Sequence, residues 1–251
     1  MRDGATLPLL LKELRLPTMG QLWKELGEQA QNRGWSPEHY LSTLCDHEVA
    51  DRQRRKLSRR MQESKLPRGK TLESFEFEAV PDLNKTQVIG LGKGEMWIKE
   101  SMNVLIFGSS GVGKSHIAAA IGAELITNGY RVLFTRTTEL LQKLQAAKRS
   151  LNLPSTLEKL DKYDCLILDD FGYVQKSEVE TSLLFELICE RYERKSLMIT
   201  CNQPFQEWDQ IFTDKRMAIA AVDRLVHHAN ILELQAQSYR RKKALERQVN
   251  I

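Results

Sequence analysis

Nowhere in these 251 residues does an apolar run approach the ~18 residues that a membrane-spanning helix needs. A secretory leader is missing as well, since Leu7 to Leu11 is short, broken by Pro8 and followed by charged residues. Both absences predict a cytoplasmic protein with no membrane partner. Cysteine is scarce. Cys45, Cys165, Cys189 and Cys201 lie far apart, with no CxxC and no Cys/His pairing at metal-site spacing, so they read as reduced core thiols. The five histidines are scattered except for His227-His228, and neighbours on a helix or strand point in different directions, which argues against a metal shared by that pair. With 41% hydrophobic and 28% charged residues, the composition is that of a folded globular chain.

The net charge of +4 hides a division. Residues 1–70 carry 14 Lys/Arg against 9 Asp/Glu, and residues 240–251 carry 5 against 1, whereas the middle carries 18 against 23. Basic ends flanking an acidic middle suggest a polyanionic partner. Nucleic acid ranks ahead of membrane because no amphipathic lipid-binding face stands out.

The most informative stretch is Gly108-Ser109-Ser110-Gly111-Val112-Gly113-Lys114-Ser115, followed by His116. Its pattern, G-x-x-x-x-G-K-S, is that of a P-loop, and its context is the one such a loop requires. Asn103 to Phe107 is a short apolar run suited to a strand buried on both faces, and residues 116–126 are rich in helix formers. The glycines let successive N–H groups turn toward phosphate oxygens at the positive end of the following helix. Lys114 is then expected to reach the β- and γ-phosphates of ATP, and the Ser115 hydroxyl to hold Mg²⁺.

A second motif supports the first. Cys165-Leu-Ile-Leu168 is a buried strand ending in Asp169-Asp170, about one βα unit downstream, as in a Walker B element. Asp169 is expected to fix Mg²⁺, and Asp170 to polarise or orient the attacking water. Ser196 to Cys201 is a further strand ending at Asn202, an amide placed either for the γ-phosphate and water or simply as a turn former before Pro204. Between and after these, residues 131–135 and 231–234 read as strands, and 137–148, 177–194 and 215–228 as helices, the second of these opening on a capping box at Ser177-Glu-Val-Glu180. Five strands alternating with helices predict an α/β fold, a doubly wound five-stranded parallel sheet of the AAA+ P-loop NTPase type.

Residues 1–66 read as a separate small all-helical domain, with two short amphipathic helices parted near Pro17 and a third starting at Ser36-Pro37. Residues 67–100 read as a linker and entry helices, 101–235 as the ATPase core and 236–251 as a basic tail. On the third helix Arg52, Arg55, Lys56 and Arg59 share one face. That face is either simply solvated or a contact for duplex DNA phosphates, and few acids after Asp51 offset it at i+4. Lys143 on the helix over 137–148 is a further candidate phosphate contact. Two aromatics in residues 71–77, Phe75 and Phe77, either pack or form an adenine-pocket wall.

With these elements placed, the chain closely resembles the IstB family of transposition helper ATPases. The markers beyond the Walker motifs are Arg191-Tyr192-Glu193, Asn202 to Trp208, Asp223-Arg224-Leu225-Val226-His227-His228 and Ser238-Tyr239-Arg240. The resemblance implies an AAA+ ATPase that oligomerises on duplex DNA with ATP bound and delivers target DNA to its cognate transposase. By motif, Asn202 resembles sensor 1 and Arg224 the arginine finger reaching a neighbouring subunit's ATP; an internal salt bridge from Arg224 to Asp223 is the alternative. Two departures stand out. Asp170 replaces the family's common Glu, and only about 17 residues follow the last strand, so no sensor 2 arginine is assigned, with Arg240 a candidate. A helicase loader of the DnaC or DnaI kind is the rival function, and a non-hydrolysing nucleotide-gated scaffold a more distant one.

Overall fold

The computed structural model describes residues 6–172, 176–204, 207–208, 211–236 and 238–239. Its contacts divide the chain into two compact units, Met1–Arg59 and Arg60–Ile251. The tail beyond Tyr239, with Arg240, lies outside the described residues.

The first unit is helical. Helix α1 spans Leu7–Glu13, α2 spans Pro17–Arg33 and α3 spans Pro37–Glu63, its last turn already in the second unit. Prolines begin α2 and α3 because a first-turn residue has no N–H bond to lose, and Ser36 caps α3 by accepting from His39 N–H at 3.2 Å. Helix α2 is longer than its leucine spacing predicts and ends on Gly34 in the left-handed conformation. The core of this unit is small: Leu11, Met19, Leu26 and Leu44, flanked by partly buried Trp23 and Tyr40.

One buried carboxylate knots the unit together. Glu48 of α3, 3% exposed, accepts from Thr18 N–H (2.8 Å) and Met19 N–H (3.1 Å) at the start of α2, and from Arg52 Nε (3.0 Å). It thereby satisfies two of the N–H groups a helix start leaves open. Burial acts to raise its pKa, but the hydrogen bonds from Met19, Arg52 and Thr18 outweigh it and hold the carboxyl below the usual range.

The second unit is built on five parallel strands: β1 (Asn103–Gly108), β2 (Val132–Arg136), β3 (Cys165–Asp169), β4 (Ser196–Cys201) and β5 (Ala229–Leu234). Their order across the sheet is β2-β3-β4-β1-β5, so the P-loop strand and the acid-bearing strand flank β4. The apolar runs explain the strands. Val104, Leu105 and Ile106 are fully buried, each contributing about 1.5–3 kcal/mol relative to exposure.

Helix α4 (Lys85–Lys93) and helix α5 (Lys114–Thr127) share one core cluster with one sheet face. Gly122 of α5 lies so close to the sheet that a Cβ there would meet Ile167 Cδ1 at 2.7 Å. Helices α6 (Thr137–Arg149), α7 (Leu153–Asp161), α8 (Glu178–Arg191) and α9 (Lys215–His227) share the cluster on the other face. The capping box forms as the sequence predicts, with Ser177 Oγ accepting from Glu180 N–H and Glu180 Oε2 accepting from Ser177 N–H. Helix α7 is not anticipated by the sequence reading. Pro154 sits in its first turn, and Leu153 and Leu160 are the anchors it buries.

Arg191, at the end of α8, is a buried strut. Its guanidinium donates to the carbonyls of Leu160 (3.2 Å), Tyr163 (3.0 Å) and Ser196 (3.0 Å), joining α7, β4 and the loop before β3. Burial lowers its pKa to about 10, which leaves it charged at neutral pH. Among the described residues no helix is long and apolar enough to cross a membrane.

Candidate nucleotide site

The loop from Gly108 to Lys114 leaves β1 and enters α5 at the carboxyl edge of the sheet. Gly108, Gly111 and Gly113 take positive φ angles of 148°, 86° and 107°, where a side chain is strained. A Cβ on Gly113 would meet Phe75 Cε2 at 2.8 Å, and one on Gly111 would collide with Ser238 Oγ. Glycine is therefore demanded twice, by the backbone turn and by what packs on it. Lys114 is buried, its ammonium folded over the loop to donate to the carbonyls of Gly108 (2.8 Å) and Ser109 (2.9 Å).

Opposite the loop, Asp169 ends β3. Thr200 Oγ1, on the adjacent β4, donates to Asp169 Oδ1 (2.5 Å) and accepts from Asp170 N–H (3.1 Å), so one hydroxyl orients both positions of the acid pair. Asp170 takes φ = 56°, a left-handed turn that Asp tolerates, and Phe171 N–H returns to Thr200 O at 2.9 Å. Thr137 Oγ1 donates to the Asp169 carbonyl at 3.0 Å. Asp169 is 6% exposed, while Asp170 stands in solvent. Thr200 was missed by the sequence reading. Its only signal is a hydroxyl inside an otherwise apolar strand, where it needs a partner.

Between these groups lies a cavity of about 810 Å³. Ser110 to His116, Asp169 and Asp170 line it together with Phe75, Glu76, Arg136, Glu139 and Tyr239. Its walls are tied to the loop: Tyr239 N–H donates to Gly111 O (3.1 Å), and its hydroxyl donates to Glu76 Oε1 (2.6 Å). His116 lies edge-on to Phe75 (5.2 Å between centroids), with Nε2 3.0 Å from Thr71 O and 3.1 Å from Ser74 Oγ. Burial and the nearby Lys70 charge lower its pKa against the raising effect of the Thr71 carbonyl, favouring a neutral ring. The glycine-only backbone, the buried lysine and the paired acids on one wall fit a magnesium-bound nucleoside triphosphate in size and charge.

The other sequence-selected residues fall elsewhere. Asn202 directly follows β4 and is exposed, at the sheet edge between β3 and β1. Arg224, on α9, is not among the described residues lining the cavity. Its guanidinium lies over the rings of Phe185 (5.5 Å) and Tyr192 (5.9 Å), and Nη1 donates to Ala220 O (2.8 Å). Among the described residues it makes no ion pair with Asp223. On α3, Arg52 and Arg55 pair with Glu48, and Arg55 with Asp51 as well (3.0 Å), so acids upstream offset half of a stripe that the sequence reading took to be largely uncompensated. Lys56, Arg59 and, on α6, Lys143 are exposed. The adjacent histidines do not diverge as the sequence predicts: the His227 and His228 rings lie 4.0 Å apart, because His228 has left the helix (φ −128°, ψ 70°).

Sheet order, P-loop and acid pair define an α/β fold of the P-loop nucleotide-binding type. The chain belongs to the IstB-like ATP binding protein family, which matches over residues 9–247. It is 55% identical over 244 residues to an insertion-sequence ATP-binding protein of Sinorhizobium fredii, covering 97% of this chain and 82% of that one. The ATP-binding protein of insertion sequence IS21 of Pseudomonas aeruginosa is 35% identical over 236 residues, covering 94% and 89%. Among solved structures, DnaI shares the fold with a TM-score of 0.56 at 22% identity, over 68% of this chain and 95% of that one.

Proposed function

We propose that this insertion-sequence ATP-binding protein is a transposition helper: an ATPase that assembles on duplex DNA with ATP bound, hydrolyses it and delivers target DNA to a cognate transposase. The observation that carries the hydrolytic part is the meeting of Lys114, Asp169 and Asp170 on one cavity, with Thr200 orienting both acids. Bound ATP with Mg²⁺ supplies an activated γ-phosphoryl group; the chain supplies positioning and charge. The loop amides and Lys114 hold the phosphates, Ser115 and Asp169 hold the metal, and Asp170 takes or orients the proton of water, with Asn202 assisting at the neighbouring strand tip.

Arg224 completes the site of a neighbouring subunit. Its place outside the cavity of its own subunit supports this, as does a packing partner that is aromatic rather than a carboxylate. DNA is held through phosphates by the Arg52, Arg55, Lys56 and Arg59 face of α3 and by Lys143, with Arg52 and Arg55 exchanging Glu48 and Asp51 for phosphate. Membership of a family of insertion-sequence proteins favours the transposase as partner over a replicative helicase. The test is phosphate release with and without duplex DNA, paired with capture of purified transposase. Turnover that rises with DNA, together with ATP-dependent retention of transposase, supports the reading. Turnover indifferent to DNA, or capture of a replicative helicase instead, contradicts it.

A further inference from the structure

We propose that Glu193, His227 and His228 form a binding site for one divalent transition-metal ion of the zinc type, separate from the magnesium-nucleotide site. The three side chains present their donor atoms within 4.8 Å of one another. His228 Nε2 and Glu193 Oε1 are 3.9 Å apart, beyond hydrogen-bond length. An ion bound tetrahedrally at about 2.0–2.2 Å to each donor holds two ligands roughly 3.3–3.6 Å apart, so the pair closes by a few tenths of an ångström. The remaining closure falls to side-chain rotation, which is open because all three residues are exposed.

The convergence has a local cause on each element. His227 is the last residue of α9 and His228 its C-cap, and the turn out of the helix brings the two rings side by side. Glu193 follows α8 in a left-handed conformation (φ 56°) that carries it to the same place. A further contact orients the site: Tyr192 Oη lies 3.0 Å from His227 Nδ1. A metal-binding imidazole characteristically spends its second nitrogen on such a partner.

Two imidazoles and one carboxylate suit Zn²⁺ or Co²⁺, whereas Mg²⁺ prefers an all-oxygen shell. Three protein ligands leave one position for water or an exogenous group. The ion would tie the turn after α8 to the end of α9. Arg224, one turn back on α9, rests on the ring of Tyr192, so the site adjoins the proposed finger without depending on that assignment.

The test uses the full-length, tag-free chain titrated with Co²⁺ and followed by its visible ligand-field absorption, then displaced with Zn²⁺. One equivalent should bind, resist excess Mg²⁺, and weaken at least about tenfold in each of His227→Gln, His228→Gln and Glu193→Gln. Tyr192→Phe should weaken it by about tenfold, as loss of an outer partner does. His39→Gln and His47→Gln should leave it intact. Melting in chelator at the parent's temperature verifies that each variant is folded. Absence of one-equivalent binding in the parent, or binding that survives in His228→Gln and Glu193→Gln, overturns the site.

Discussion

The two units manage buried charge in different ways. In the sheet unit, Asp169, Lys114 and Arg191 are each held by hydroxyls or carbonyls from the strands and the segments next to them, around a large apolar sheet packed on both faces. The helical unit has four well-buried core side chains and leaves Leu9, Leu14, Leu41 and Val49 more than half exposed, and carboxylates of α3 join it to α2: buried Glu48 accepts from the Thr18 and Met19 N–H groups, and Asp51 from the Thr18 hydroxyl (2.8 Å). The first adds its polar contacts to a large packed core. The second depends on a polar knot.

Within one subunit, the largest expected effect of a shape-preserving substitution separates chemistry from packing in the core. Asp170→Asn should keep ATP affinity within a few fold and lower turnover by ~10²–10⁴, because shape is kept while the proton acceptor is lost; hydrolysis at the parental rate would move that role elsewhere. Thr200→Val should follow. It leaves Asp169 and the Asp170 N–H without their partner, costs about 1–3 kcal/mol and slows turnover. A parental melting temperature would show that the hydroxyl is dispensable.

In the helical unit, Glu48→Gln removes the charge and turns one of two accepting oxygens into a donor, and should destabilise that unit by about 1–3 kcal/mol, since the lost bonds are to an ionised group. Hydrogen exchange at the Thr18 and Met19 amides should speed up while the sheet amides stay protected; loss spread evenly over both units would break the contrast. The folded pKa of Glu48 lies below its ordinary 4.5, so its contribution is present above that value and fades as pH falls through the lowered one.

The smallest effect concerns His116. Its folded pKa lies below 6.5, so the neutral ring is favoured and stability falls as the pH drops below 6.5. His116→Gln should flatten that part of the pH profile of thermal melting, and an unchanged slope would assign it to another group.

The regions also differ in how much of them the sequence reveals. The P-loop, the acid pair and the buried strands are legible because their signals are local: glycines where φ is positive, apolar runs, an acid at a strand end. Thr200 needs the knowledge that β4 lies beside β3, which no local pattern carries. Glu48 acts on residues some thirty positions away, and its charge looks like any other on a polar helix. Helix α7 has only two buried anchors in nine residues. The pairing of His227 and His228 is hidden in the sequence because the helical pattern runs through both, whereas the helix ends at His227.

The most direct test of the central claim, ATP turnover shared between subunits, mixes two variants that are inactive alone. Arg224→Ala should bind ATP nearly normally yet lose ~10³–10⁵ of the DNA-stimulated rate, and Lys114→Ala should not bind ATP. Mixed on duplex DNA, they should regain part of the activity, because an intact Arg224 from one subunit meets an intact P-loop in the next. A mixture as inactive as its components, with both variants folded and assembling, would contradict the account.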